Sequence, residues 1–179
     1  MANEQKNLPT SLVTATGQQV ELVQKVWASP NTAIGLTIGA AGYIYGSATG
    51  QKVKLDMGEN AIQFLGVPFG GGALTLGNVE NYFGNASPSR VWPTYEANNA
   101  NWSMGASYDS VALGGHEVEH TYQAEKLGPF FLPVYLYQGI AGSIKNGVFT
   151  LNPVNQYNPM EHAADAAGNK SLKYLRNEN

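Results

Sequence analysis

The chain has 179 residues, enough for one ordinary domain with a real core. Hydrophobic residues make up 43% and charged residues 13%, which excludes a disordered chain. The formal net charge is −3 with no dense Lys/Arg cluster, so the basic footprint of a nucleic-acid binder is missing, and the lack of cysteine excludes disulfides, thiolate catalysis and Cys-based zinc sites.

Residues 1–28 read as an N-terminal lead-in and 29–179 as a single domain. The first dozen residues are polar and lack an apolar h-region, so no Sec signal peptide is expected. Residues 21–27 have mixed helical character, which Ser29-Pro30 ends. Asn31 and Thr32 then offer N-caps for a helix over the apolar run 33–46. Gly35, Gly39, Gly42 and Gly46 form a small-residue face there, as in packed membrane helices. At about 14 residues the run falls short of the roughly 20 that span a bilayer, so a buried core helix is expected.

Residues 52–64 read as a hairpin of VKLD and AIQF turning at Gly58, and 73–79 as one further strand. The stretch 80–109 is loop-like, rich in Asn, Ser, Gly and aromatic residues, and loops of that length are usually functional. Helices follow over 110–127, capped by Asp109 or Ser110 and stopped at Gly128-Pro129, over 130–144 as a buried element, and over 159–168 between Pro159 and Gly168. The expected class is α+β, mainly helical with a small β-layer.

His116-Glu117-Val118-Glu119-His120 is an HExxH motif, and it uses two of only three histidines in the chain. On a helix, positions i and i+4 share a face, so both imidazoles can reach one ion. Glu117 lies about 100° round from His116, beside the metal rather than on it, where it can act as general base. A catalytic zinc needs a third protein ligand and one open position. The pattern HExxHxxGxxH would put that ligand at Lys126 with a glycine at Gln123, and neither residue fits.

Downstream, Glu161 and Asp165 fall on one helical face. Their ExxxD spacing matches the thermolysin-like (gluzincin) pattern, in which the first carboxylate binds zinc and the second accepts a hydrogen bond from a ligand histidine. His162 competes with Glu161 as third ligand. With Glu161 on the metal, His162, Tyr157 and Tyr122 are the candidate donors to a developing oxyanion. Glu119 and Glu125 read as solvated helix charges, and Gln123 faces the histidines in a packing or hydrogen-bonding role.

The stretch HEVEHTYQAEKLGPFFLPVYL followed by NPMEHAAD, with SPNTAIGLTIGAAG, NAIQF and GGALTLGNV upstream, resembles the HExxH metallopeptidase domains of bacterial polymorphic toxins. Some of these sit at the C-terminal end of type VI secretion spike proteins of the VgrG kind. The resemblance runs from about Ser29 to Asp165. It implies a zincin-like fold, Zn2+ as cofactor and a peptide or protein substrate in the envelope of a competitor. It also implies delivery to the target periplasm by a secretion machine, carried by or fused to a spike protein, and a cognate immunity protein. The expected function is a zinc-dependent peptidase with Glu117 as base. A second expectation, from the apolar runs 33–46 and 130–144, is a membrane-active or partner-binding toxin module with a structural metal.

Overall fold

The computed structural model describes residues 21–58, 60–93, 110–155 and 157–175. The fold is mixed α+β. Four helices, α1 (Ser29–Thr49), α2 (Leu113–Leu127), α3 (Phe131–Lys145) and α4 (Pro159–Leu175), accompany a four-stranded sheet, against which α1 and α2 pack. Its strands are β1 (Lys54–Met57), β2 (Ile62–Val67), β3 (Gly72–Leu76) and β4 (Val79–Phe83), in the order β1-β2-β4-β3. A short ribbon pairs β5 (Val91–Pro93) with β6 (Ser110–Ala112), and residues 21–27 are helical ahead of α1.

The expected hairpin forms, with Met57 opposite Ile62 across the Gly58 turn. The expected single strand over 73–79 is instead two. Gly77, at φ 62°, reverses the chain, so that β3 and β4 pair antiparallel with Thr75 opposite Glu80. Alternation of apolar residues continues through such a tight turn, so periodicity alone does not reveal it. β4 then inserts beside β2 in parallel, leaving β3 at the edge.

α1 carries no charged residue, and its packing explains the glycine face. A Cβ on Gly39 would lie 2.2 Å from Phe64 Cδ2, and one on Gly35 would lie 2.8 Å from Val79 Cβ. Only glycine lets the helix lie this close to the sheet. The outer side of α1 is exposed at Ile34, Tyr43, Ile44 and Tyr45, so the element is buried along one stripe rather than all round as expected. Among the described residues, no helix is long and apolar enough to cross a membrane. The helix starts at Ser29, earlier than the expected caps. Asn31 spends its side chain on Gly128 O at 2.7 Å, and Thr32 Oγ1 accepts from Asn78 N–H at 3.1 Å.

The sheet has two differently used faces. Phe64, Val67 and Val79 form a core with Leu36 beneath α1. Tyr82 packs on the other side with Ala86, Leu113, Leu65 and Ala73. A third cluster, Ala28, Leu76, Ala124, Phe131 and Met160, joins the helices to the edge of β3. Each fully buried aliphatic or aromatic side chain contributes about 1.5–3 kcal/mol, so the first cluster sets the docking of α1 and the other two that of α2.

Three helix boundaries differ from expectation. α2 begins at Leu113, because Ser110–Ala112 is held as β6 and Ala112 takes the N-cap position. α3 is continuous through Pro133, which lies in its first turn where its missing N–H costs little. Only Phe131, Gly139 and Ser143 of α3 are buried, and Leu136, Tyr137 and Ile144 are exposed, against the expectation of a buried helix. α4 continues past Gly168, which is a contact point and not a C-terminal end. The tip of the expected aromatic loop, residues 94–109, and Glu59 of the hairpin turn lie outside the described residues.

Candidate metal centre

The centre is built where α2 and α4 cross. Both helices are notched by glycine at the contact: a Cβ on Gly115 would meet Ser171 Oγ at 2.3 Å, and one on Gly168 would meet Val111 Cβ of β6 at 2.7 Å and His116 N of α2 at 3.2 Å. This close approach brings Glu161, on the first turn of α4, to the imidazoles of α2. His116, His120 and Glu161 are 6%, 6% and 2% exposed, and each offers a ligand atom within 4.8 Å of the others. Among the described residues this is the group of His and carboxylate side chains able to hold a metal ion.

The tautomers follow from the outer nitrogens. His116 Nδ1 lies 3.0 Å from Asp165 Oδ1, a carboxylate that can only accept, so Nδ1 carries the proton. Gln123 donates its Nε2 to Met160 O at 3.1 Å, which turns its Oε1 to His120 Nδ1 at 3.0 Å. In the neutral rings both Nε2 atoms therefore present lone pairs, and they face each other at 3.2 Å. Glu161 adds Oε2 at 3.3 Å from His116 Nε2 and Oε1 at 3.6 Å from His120 Nε2. Glu161 Oε2 is buried without a hydrogen-bond donor.

Two lone pairs and a carboxylate converging in a buried space repel unless a cation lies between them. Neighbouring donors at bonds of about 2.0–2.2 Å to a tetrahedral ion stand about 3.3 Å apart, the spacing found here. Without a metal, protons take that place. Burial lowers the His116 pKa, but the carboxylates of Asp165 and Glu161 outweigh it and push it up to about 10. His120 is likewise lowered by burial and raised on balance by Glu161. Burial raises Glu161, but its pairing with the two imidazoles holds it well below the usual carboxylate range.

Glu117 is buried beside the cluster, and its Oε2 accepts a hydrogen bond from Thr75 Oγ1 of β3 at 2.6 Å. Two cavities meet at this point. One, of about 100 Å³, is lined by Leu74, Leu76, Phe131, Leu132 and Tyr135, and the other, of about 230 Å³, by Gly71, Gly72, Leu113 and Asn152. His116 and Glu117 border both.

Among the expected site residues, His116, His120, Glu161 and Asp165 come together, with Asp165 on His116. His162 is not in the cluster, and neither it nor Tyr157 lines the two cavities. Tyr122 is 51% exposed on α2. The tyrosine that does reach the cluster is Tyr135, whose hydroxyl donates to Glu161 Oε1 and whose ring lies edge-on to His120 with centroids 6.0 Å apart. Nothing in its spacing from the motif singles it out in the sequence, and the same holds for Thr75.

Glu125 corrects the expectation of a solvated charge. It is 5% exposed and takes Lys25 Nζ at 3.1 Å, Asn78 Nδ2 at 2.7 Å and Asn60 Nδ2 at 3.2 Å. It ties α2 to the 21–27 helix and to two turns of the sheet.

No family model, curated protein or solved structure matches the chain.

Proposed function

We propose that the chain is a zinc-dependent peptidase with a zincin-like arrangement of helix, edge strand and metal. The observation that carries this reading is the meeting of two Nε2 lone pairs and the Glu161 carboxylate at tetrahedral spacing, with Glu117 buried one position from His116. His116, His120 and Glu161 hold the ion. Two imidazoles and one carboxylate are a donor set that suits zinc, with one position left for the reaction. Zinc, when bound, supplies Lewis acidity that brings the pKa of water toward about 7 and polarises a carbonyl.

The remaining work falls to the side chains. Glu117 takes a proton from the attacking water and delivers it to the leaving amine. Asp165 and Gln123 keep both rings in the Nδ1–H form, so their Nε2 atoms stay available to the metal. Tyr135 lines the same cavity as Glu117, unlike the expected His162 and Tyr157, and its hydroxyl becomes a donor to an oxyanion once it leaves Glu161 Oε1. The peptide lies between the outer edge of β3 and α2, with an apolar side chain against Leu74, Leu132 and Phe131. The wider setting, an antibacterial effector carried by a secretion spike into a target periplasm and matched by an immunity protein, rests on the resemblance of the motif stretches.

The test is metal analysis joined to hydrolysis. Wild type should carry one zinc, His120→Ala and Glu161→Ala should lose it, and Glu117→Ala should keep it while cleavage of labelled casein and of peptidoglycan stem peptides disappears. Cleavage retained by Glu117→Ala would remove the base, and zinc retained by Glu161→Ala would remove Glu161 as the third ligand.

One observation favours a second reading, a membrane-active toxin module with a structural metal: α1 is uncharged and its outer apolar side is exposed. Liposome leakage caused by zinc-loaded Glu117→Ala protein would support it. Intact vesicles would leave the peptidase.

A further inference from the structure

Thr75 belongs to the edge strand β3, yet its hydroxyl is bonded to a helix residue 42 positions away, at 2.6 Å and out of solvent. That length lies at the short end of the range of about 2.5–3.0 Å for O–H···O hydrogen bonds. Glu117 needs such an anchor. Its side chain has three torsions, and the two cavities that it borders, of about 100 and 230 Å³, give the carboxylate room to swing.

Thr75 stands at the end of a buried polar row. Its β-branched side chain is restricted in a strand. On the same sheet face Glu80 stands opposite Thr75, and Gln63 stands opposite Glu80. Gln63 Nε2 and the Tyr82 hydroxyl donate to Glu80 Oε2 at 2.8 and 2.7 Å. Burial, then the carboxylates of Glu80 and Glu117, push the Tyr82 hydroxyl above its ordinary range, so it remains a donor. A buried polar row inside a β-layer specifies one arrangement when its members are paired.

We propose that Thr75 is the positioning residue for Glu117: by holding Oε2 against β3 it turns Oε1 toward the metal ligands and the bond to be cut. This rests on the peptidase reading above, since it gives Glu117 a partner in the cleft. It makes the edge strand part of the machinery, acting through Glu117 without touching the reacting atoms.

Acetohydroxamate, a small zinc chelator with its own N–H and O–H, tests this without a known substrate. Its affinity for the zinc-loaded full chain is measured by calorimetry in wild type, Thr75→Val, Thr75→Ser, Glu117→Ala and the Thr75→Val/Glu117→Ala double variant, each checked for zinc content. Thr75→Val should bind about tenfold more weakly, the scale of losing a group that orients a metal-site side chain. Thr75→Ser, which keeps the hydroxyl, should stay within about twofold of wild type, and Thr75→Val should add nothing in the Glu117→Ala background. Thr75→Ala replaces the valine variant if the latter does not fold. Zinc-loaded Thr75→Val binding as wild type does, or losses that add in the double variant, would overturn the positioning role alone. A wild type that takes up no zinc would end the peptidase reading and this one together.

Discussion

Each imidazole of the proposed metal centre has one partner of a different kind on its Nδ1. Asp165 is a carboxylate on His116, while Gln123 is a neutral amide on His120 whose own direction is set by Met160 O. A carboxylate raises ligand basicity more than an amide, so the two partners differ in effect. Asp165→Ala should weaken zinc binding about 10–100-fold, the range for partners of metal ligands, and Gln123→Leu should fall at the lower end of it. Competition with a fluorescent chelator measures both. A larger loss from Gln123→Leu would mean that ring orientation outweighs basicity. The motif histidines were legible in the sequence because i, i+4 geometry is local. Gln123 was visible only as a residue on the right side, since its role needs Met160, 37 positions away.

The elements act through how closely they approach. Gly39 sets α1 on the sheet, and Gly168 sets α4 on α2, with a Cβ there 3.0 Å from Ala112 O and 3.2 Å from His116 N. Gly39→Ala should destabilise the chain by about 1–3 kcal/mol through overpacking against Phe64 and leave zinc affinity of the folded protein unchanged. Gly168→Ala should cost a similar amount and also weaken zinc binding, because it parts the helices that carry the ligands. Thermal unfolding with and without zinc separates the two. Equal zinc affinity in Gly168→Ala and wild type would show that the helix crossing does not set the ligand spacing. The glycine face of α1 was readable from its spacing, but not that a sheet would cover it and leave the far side open.

For the whole molecule, the proposed centre would couple folding to metal, and its buried imidazoles and carboxylate couple folding to pH. Zinc at about 100 times its dissociation constant stabilises by about 2.7 kcal/mol, which at about 2–4 °C per kcal/mol raises Tm by roughly 5–10 °C. In the metal-free chain, His116 (raised to about 10) and His120 (also raised) favour folding below 6.5, and that contribution is lost as pH climbs toward 10. Glu161 is depressed, so its contribution is present above 4.5 and lost in acid. The metal-free protein should therefore be most stable between these limits. Zinc must displace the imidazole protons, so its Tm gain should be larger at pH 8 than at pH 6. Scanning calorimetry across pH, with chelator or zinc, checks both, and a zinc gain that shrinks as pH rises would contradict the assigned ligands.

Local sequence was sufficient for what a helical turn or a short turn encodes: the paired histidines, the Glu161–Asp165 face, the Gly58 hairpin and an α+β class. Tertiary structure alone decided that 72–83 is two strands with β3 at the edge, that Glu125 is buried, and that Tyr135 and Thr75 reach the centre. The reason is physical. Helix periodicity fixes neighbours three and four residues apart, whereas the Thr75–Glu117 and His116–Asp165 bonds, across 42 and 49 positions, exist only once sheet and helices have docked.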